Sequence, residues 1–348
     1  MVSNYYTPKL GENSKNIFYP YYATEAGLMI GNFYYNTDFL SKKGYVTNIL
    51  MYAPSSNIGV EWLTLKNIPV FYGLKAGGEI FYATFEEVRL YYPGNDSVDK
   101  PGGNNEAKGY DSGKGGYFNI RGDLKKDIDE KKYIKIQIVY NTMMMASKLQ
   151  AEDINLKTDK IGLEYGIDTT DKSGTPFEGE KILFLAEKSL NMISKDKNND
   201  WDYYKLTADF RKYIKTGNKN TVALRFLTVY MDYLKNIGNN MNNPDMATLG
   251  DLDVFRGYYY MRFKDKNSAV FQGEYRFPIT DDGVVRGTVF AEAGRVGEKY
   301  NLDLFSKELK YDVGAGIHYY FNKDVMIRGD IAFSEEKVQL RMATTQAF

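Results

Sequence analysis

The sequence predicts an all-β fold, a transmembrane antiparallel β-barrel of about sixteen strands. The composition supports strands, because Tyr and Phe number 31 and 20 among 348 residues, whereas Pro numbers only 9. Apolar and polar residues alternate along many short segments that end in polar turns. No run of eighteen apolar residues occurs, which excludes a transmembrane helix. A mean hydropathy of −0.47 is still compatible with a membrane barrel, because its lumenal face is polar.

The alternation is clearest in the last hundred residues. Every second residue from 313 to 321 is apolar, namely Val313, Ala315, Ile317, Tyr319 and Phe321. The segment 324–334 likewise separates an apolar face from an ionic one. The segment 221–231 is apolar on both faces, so its orientation stays open. These patterns predict strands with one face toward lipid and the other toward a wet lumen.

The length of the chain fits one barrel domain. A spanning strand needs ~9–11 residues, so sixteen strands use roughly half of the chain, whereas eight strands would leave very long loops. We expect the barrel to cover residues 27–348. Residues 1–26 form a short N-terminal segment, which is either a first strand or a plug. The first ten residues lack the features of a signal peptide, which favours a mature chain without its leader.

Charge and composition argue against several function classes. Lys and Arg number 45 and so do Asp and Glu, so no net positive charge favours nucleic acid as a partner. The absence of cysteine excludes disulfides, thiolate metal sites and cysteine nucleophiles. His318 is the only histidine, on a polar strand face, and no Gly-x-Ser-x-Gly motif occurs. We therefore expect a protein that is not an enzyme and needs no metal or other cofactor.

The C-terminal segment has the pattern of a last barrel strand. Val338, Leu340 and Met342 share parity with the final residue, Phe348. A last strand that ends in Phe is typical of bacterial outer-membrane barrels, where it pairs with the first strand and leaves no open edge. The alternative is an unrelated β protein that ends in Phe. This pattern predicts an integral protein of the bacterial outer membrane.

Two motifs upstream are more specific. Phe255-Arg256-Gly257-Tyr258 follows a loop-like segment, and Phe290-Ala291-Glu292-Ala293-Gly294 lies in a later strand. Together with the upstream acid Glu274, they resemble the BamA/TamA-type bacterial surface-antigen superfamily. In that family an Arg-Gly-Phe/Tyr loop tip meets an Asp in a Phe-x-Asp-x-Gly strand. Glu292 stands here in place of that Asp, so the charge is retained on a longer side chain.

The resemblance implies that Arg256 holds an extracellular loop inside the barrel by pairing with Glu292 and Glu274 on the inner wall. An arginine in a partly desolvated site can form bidentate, charge-assisted hydrogen bonds with carboxylates. Phe290, on the same strand face as Glu292, can stack against the guanidinium group. Two alternatives stay open: Arg256 is a solvated loop residue, or Arg276 pairs with Glu274 instead.

The resemblance also implies a function, the insertion or translocation of polypeptide or lipid at the outer membrane. The proposed family mechanism uses a lateral seam between the first and last strands. Family members usually carry periplasmic polypeptide-transport-associated (POTRA) domains before the barrel, and residues 1–27 are too short to hold one. We therefore expect a member without these domains, served by a separate periplasmic partner. Other expected partners are outer-membrane lipids and an unknown polypeptide or lipid cargo, and a homodimer stays open.

Two other classes of function remain. One is a passive or plugged barrel that acts as a pore or as the membrane anchor of a patatin-type autotransporter. The other is a soluble β enzyme, for which the sequence offers no catalytic motif.

Overall fold

The computed structural model describes residues 14–23, 27–39, 44–91, 110–147, 153–171, 175–193, 201–217, 219–234, 243–320, 326–343 and 346–348. Eighteen strands occur in these residues, and sixteen of them form one antiparallel closed barrel. The other two form a small separate sheet. The predicted all-β barrel of about sixteen strands is therefore confirmed.

The strands of the barrel are β1 Ser14–Ala23, β2 Gly27–Phe39, β3 Gly44–Ala53, β4 Ile58–Pro69, β5 Leu74–Tyr91, β6 Tyr110–Asp127, β7 Lys132–Ser147, β8 Ile154–Asp168, β9 Gly179–Ser189, β10 Tyr203–Lys215, β11 Thr221–Tyr233, β14 Asn267–Pro278, β15 Val285–Gly297, β16 Lys310–Tyr320, β17 Met326–Ser334 and β18 Val338–Ala343. The small sheet consists of β12 Ala247–Leu249 and β13 Phe263–Asp265. One short helix, α1, spans Asp303–Ser306 between β15 and β16. No helix in the described ranges is long and apolar enough to cross a membrane.

Strands that follow one another in the chain are neighbours in the barrel, apart from the step across the small sheet. There, β11 pairs directly with β14, so the chain between them forms one long loop. The barrel begins before residue 27, because β1 pairs with β2 from Ser14↔Asn36 to Ala23↔Gly27. Of the two alternatives for the N-terminal segment, a first strand or a plug, residues 14–23 form the first strand. β1 and β18 close the barrel through the pair Ala23↔Arg341.

The two faces of the barrel differ as the alternation predicts. On β7, Ile134, Ile136 and Ile138 are exposed on the outer surface, whereas Gln137 and Val139, at odd-numbered positions, are buried toward the lumen. The orientation of β11, which the sequence left open, follows from its pairing with β10 and β14. Its Leu224 pairs with Lys212 and Gly273 on the outward face.

The described part of the long loop between β11 and β14, residues 243–266, lies inside the barrel. Its small sheet pairs Ala247–Leu249 with Phe263–Asp265. An apolar cluster joins loop residues to wall residues: Leu249, Val254, Phe255, Tyr258, Phe263, Val270 and Val296. Leu252 packs against a second apolar cluster on β1, β2 and β3. The loop thus has its own folded core, which is packed against opposite parts of the inner wall.

A charged side chain on the outward face should destabilise the barrel by an amount that depends on its depth in the membrane. We expect Leu163→Arg, on the outward face of β8, to destabilise the barrel by about 2–4 kcal/mol, because lipid cannot solvate the guanidinium group. Leu302→Arg, in the connection that precedes α1, serves as the control and should change stability by less than about 0.5 kcal/mol. The measurement is urea unfolding of the barrel in liposomes. Equal effects of the two substitutions would contradict the assignment of the lipid face.

Candidate functional site

The tip of the inward loop, residues 251–258, is a tight turn that is stabilised by contacts within the loop itself. The Asp251 carboxylate accepts hydrogen bonds from the backbone N–H groups of Asp253 and Val254, at 2.5 and 2.6 Å. Phe255 adopts a left-handed backbone conformation with φ of 59°, which is unfavourable for a bulky side chain. Packing of its ring against Tyr258 and Phe263 stabilises this conformation. The turn directs Arg256 at the wall.

Arg256 is fully buried and contacts three carboxylates from three strands. Its Nε donates to Glu292 Oε1 at 2.9 Å, and its backbone N–H donates to Glu292 Oε2 at 2.9 Å. Its Nη1 lies 2.8 Å from Glu274 Oε1 and 3.2 Å from Asp330 Oδ2. The side chains of all four residues have no exposed surface. Charge-assisted hydrogen bonds in such a site are strong, because no water competes for them.

Two features allow the loop to approach the wall so closely. The Arg256 guanidinium carbon lies 3.4 Å from the centroid of the Phe290 ring, which covers one face of the cation. At Gly257 a Cβ would lie only 2.7 Å from the Cβ of Asp312, and Gly257 N–H donates to the Asp312 carboxylate at 3.0 Å. At Gly294 a Cβ would lie 2.4 Å from the carbonyl oxygen of Ala269. Larger residues would therefore push the strands or the loop apart.

The wall contributes residues to this site that the motifs did not indicate. Gln272 donates to Glu292 at 2.8 Å and to the backbone oxygen of Asp253 at 2.7 Å. Arg328 bonds both Asp330 on its own strand and Asp253 in the loop, each at 2.5 Å. Arg341 of β18 donates to the backbone oxygens of Arg256 and Tyr258. Their place on the polar face of each strand was visible in the sequence, but their partners were not.

Glu274 links the loop tip to the segment that follows β18. One carboxylate oxygen contacts Arg256, and the other accepts hydrogen bonds from Arg276 at 2.8 Å and Gln346 at 3.2 Å. Both expected partners, Arg256 and Arg276, therefore bind Glu274 together. Arg276 Nη2 also donates to the backbone oxygen of Phe348 at 2.7 Å.

The expectation that Phe348 belongs to the last strand is wrong. β18 ends at Ala343, and Ala347 and Phe348 lie buried in a cluster with Tyr213 and Ala223 of the inner wall. The inward turn is favourable because the Phe348 ring contacts the Arg276 guanidinium group and apolar wall residues instead of lipid. Val338 and Leu340 are exposed on the outward face, and Met342 lines an outward groove together with Tyr22 of β1.

The loop has a second contact site on the wall, formed by Asp245. Its Oδ1 accepts hydrogen bonds from Lys160 at 2.8 Å and Asn141 at 3.1 Å, and its Oδ2 accepts from the Tyr203 hydroxyl. Lys205 donates to the backbone oxygen of Asp245 at 3.1 Å. These partners belong to β7, β8 and β10 and are not shared with Arg256. No sequence motif pointed to Asp245, which lies in a loop of irregular pattern.

The electrostatics of this second site favour the ionised carboxylate. Burial by itself raises the pKa of Asp245, but the ammonium groups of Lys160 and Lys205 and the Tyr203 hydroxyl hold its pKa well below the ordinary value. Glu187 balances the second positive charge, since it lies 3.1 Å from Lys160 and 3.4 Å from Lys205. The site is thus a neutral set of two cations and two carboxylates.

Arg256→Ala should release the loop tip. The substitution leaves Glu274, Glu292 and Asp330 buried without their shared cation, a loss of about 3–5 kcal/mol. We expect new protease cleavage between residues 250 and 262 and a lower free energy of unfolding in liposomes. The control is Lys266→Ala, which breaks a partly exposed ion pair with Glu298 (3.7 Å) and should cost less than about 1 kcal/mol. Identical cleavage of the Arg256 variant and the wild type would show that Arg256 does not hold the loop tip against the wall.

Asp245→Asn should loosen the start of the loop without affecting its tip. The chain has no cysteine, so a single cysteine at Thr248 or at Tyr260 gives a clean labelling probe. We expect faster maleimide labelling at position 248 when Asp245→Asn is present and unchanged labelling at position 260. Because the two sites share no partner, the destabilisation by Asp245→Asn and Arg256→Ala should add within about 0.5 kcal/mol. Strong coupling between them would show that the loop is released as a single unit.

Comparisons with known proteins agree with this architecture. Residues 72–341 match the Omp85 superfamily domain. The fold resembles BamA from Haemophilus ducreyi lacking POTRA domains 1–3, with a TM-score of 0.63, 13% identity, and coverage of 96% of this chain and 70% of that chain. It also resembles CdiB from Acinetobacter baumannii, with a TM-score of 0.62, 10% identity, and coverage of 96% and 60%. For CdiB from Escherichia coli the TM-score is 0.65 at 9% identity, with coverage of 95% and 62%.

At these identities the structural matches establish the fold alone, and the chain spans less than two thirds of either CdiB chain. No curated protein matches the sequence. The Omp85 match covers more than half of the chain, however, and it includes the loop tip, Glu274, Glu292 and Asp330. The resemblance expected from the two motifs is therefore confirmed, and the chain belongs to the Omp85 superfamily as an integral β-barrel of the outer membrane.

Proposed function

We propose that this barrel inserts or translocates polypeptide, or lipid, at the bacterial outer membrane without catalysing a chemical reaction or using a cofactor. The observation that carries the proposal is the buried Arg256, which holds an inward loop against Glu274, Glu292 and Asp330. A loop fixed in this way fills the lumen and leaves the wall of the barrel as the place where cargo can enter the membrane.

The junction of β1 and β18, here called the seam, is the part of the wall best suited to open. Among the residues that the structure describes, its pairing is Ala23↔Arg341, whereas β17 and β18 pair from Phe333↔Val338 to Arg328↔Ala343. Pro20 lies within β1 and has no backbone N–H to donate. A strand with few cross-strand bonds separates at lower cost, and its free edge can pair with an incoming strand.

The proposal includes partners outside this chain. Residues 346–348 lie at the end of the barrel opposite the long loop, near Tyr213 and Ala223. A separate periplasmic protein would deliver the cargo at this end. Outer-membrane lipids surround the outward face. We assign no nucleic acid partner, since the charge is balanced at 45 basic and 45 acidic residues.

The alternative function is a plugged or passive barrel, acting as a pore or as the membrane anchor of a patatin-type autotransporter. The packed loop supports plugging, because Arg256, Phe255 and Tyr258 are buried. Conductance measured in planar bilayers distinguishes an open pore from a plugged barrel. A large and steady conductance of the wild-type chain favours a pore, and small flickering currents favour a plugged barrel.

A disulfide across the seam tests the proposed opening. Tyr22 and Met342 line the same outward groove at the seam, so Tyr22→Cys combined with Met342→Cys should crosslink when oxidised. We expect oxidation to stop the insertion of an unfolded outer-membrane protein into proteoliposomes and reductant to restore it. The matched control joins Ile331→Cys and Leu340→Cys, which are paired across the regular β17–β18 junction, and should have no effect. Full activity with the seam crosslinked would reject lateral opening at this junction, whereas a lack of insertion by the uncrosslinked wild type would favour the anchor or pore.

A further inference from the structure

The outward face of β4 carries a carboxylate, Glu61, which is the only charged side chain in its row of paired residues on β1 to β7. Residues that are paired in register across neighbouring strands form a row through Glu61 on β1 to β7: Phe18, Asn32, Leu50, Glu61, Tyr82, Phe118 and Thr142. The neighbouring Asn141 faces the lumen, where it bonds Asp245 of the loop. Since successive residues of a strand point to opposite faces, Thr142 and the whole row face outward.

Glu61 lies below the polar rim of the barrel. At the rim, Asn57 donates to Glu86 at 2.6 Å, and Glu86 pairs with Lys114 at 2.7 Å. Glu61 is four residues beyond Asn57, about 13 Å along the strand and, for a tilt of ~35–45°, about 10 Å toward the membrane centre. This depth corresponds to the region where headgroups meet acyl chains, in the leaflet on the side of the long loop.

The Glu61 carboxylate has no ion-pair or hydrogen-bond partner among the residues that the structure describes, although it is exposed. Outward-facing charges nearer the rims are paired within the protein, as Glu86 is with Lys114 and Arg295 is with Glu308 at 3.3 Å. An ionisable group at membrane depth is costly, and such groups usually serve a function with a specific partner. Both oxygens of Glu61 are therefore available to accept hydrogen bonds from a molecule outside the chain.

The surface beside Glu61 has the shape of a lipid site. A groove of about 430 Å³ lies on the outward face, with Glu61 and Asn32 as polar groups and Phe18 and Tyr82 as aromatic walls. Gly59 adds no side chain and so keeps the groove open between Tyr52 and Thr84, its partners on β3 and β5. The Tyr52 hydroxyl bonds Asn57 at the rim, so its ring spans the distance from the rim to the groove.

We infer that this groove binds an outer-leaflet lipid whose acyl chains are amide-linked and hydroxylated, with Glu61 accepting hydrogen bonds from the amide N–H and the hydroxyl group. These donors lie at the base of a lipid headgroup, the depth of Glu61, and the acyl chain fits the aromatic groove. An ester-linked lipid has only acceptors at that depth and would leave the carboxylate unsatisfied. A second copy of the chain is a poorer occupant, because two-fold packing through this face would bring two Glu61 carboxylates together.

Two lipids that share a headgroup test the inference. Sphingomyelin and phosphatidylcholine both carry phosphocholine, but only sphingomyelin has amide and hydroxyl donors at the headgroup base. The full chain in detergent is mixed with equal amounts of the two lipids at matched acyl length, and bound lipid is measured by native mass spectrometry. We expect about tenfold preferential retention of sphingomyelin by the wild type, which corresponds to about 1.4 kcal/mol, because only this lipid can donate hydrogen bonds to the charged carboxylate.

Glu61→Leu should bring the retention ratio close to one. Glu86→Gln, which removes an outward carboxylate at the rim, is the control and should retain the wild-type ratio. A ratio near one for the wild type, an unchanged ratio for Glu61→Leu, or an equal loss in both variants would overturn the inference. The retention ratio of the two lipids by the wild type tests the inference even if a variant does not fold. None of these readouts depends on cargo insertion, so the result is independent of the proposed function.

Discussion

The burial of one guanidinium group constrains much of this structure. Arg256 has no exposed surface, and an unpaired charge in such a place would cost several kcal/mol. The wall meets this requirement with carboxylates from β14, β15 and β17, and the Phe290 ring covers the flat face of the cation. Small residues at positions 257 and 294 let the loop approach the wall closely enough for these contacts. The position of the loop in the lumen follows from this charge balance.

The same wall residues connect the loop to the last strand. Glu274 contacts Arg256 through one oxygen and Arg276 and Gln346 through the other. Arg341 of β18 donates to the backbone oxygens of Arg256 and Tyr258 at the tip. β18 therefore bonds the loop on its inner side while it pairs with β1 through Ala23↔Arg341. A displacement of β18 would alter hydrogen bonds at the loop tip, so the two elements are physically linked.

The wall of the barrel separates the lumen from lipid, and charged side chains are distributed differently on its two faces. Inward-facing ions form compact neutral groups, such as Asp245 and Glu187 with Lys160 and Lys205. Outward-facing residues are apolar through most of each strand, with paired ions toward the rims. Glu61 differs from both groups, because it faces outward below the rim and has no partner in the described chain. Its position is therefore explained by neither strand packing nor the lumenal network.

The sequence by itself determined the fold class, the faces of the strands other than β11 and, through the resemblance of its motifs to a family, the central pair of the site. A period of two places Glu292 and Glu274 on inward faces, and the Phe-Arg-Gly-Tyr motif identifies the loop tip. Tertiary structure alone decided the partners of these residues. Asp330 and Arg341 join Arg256 from strands more than 70 residues away, and Asp245 meets Lys160 across 85 residues. Period two also placed Phe348 on the last strand, but β18 ends at Ala343 and Phe348 is buried against Tyr213 and Ala223 on the inner wall. The alternation of apolar and polar residues predicts which face of a strand a residue occupies. The curvature of the barrel and the entry of the loop into the lumen determine which residues meet.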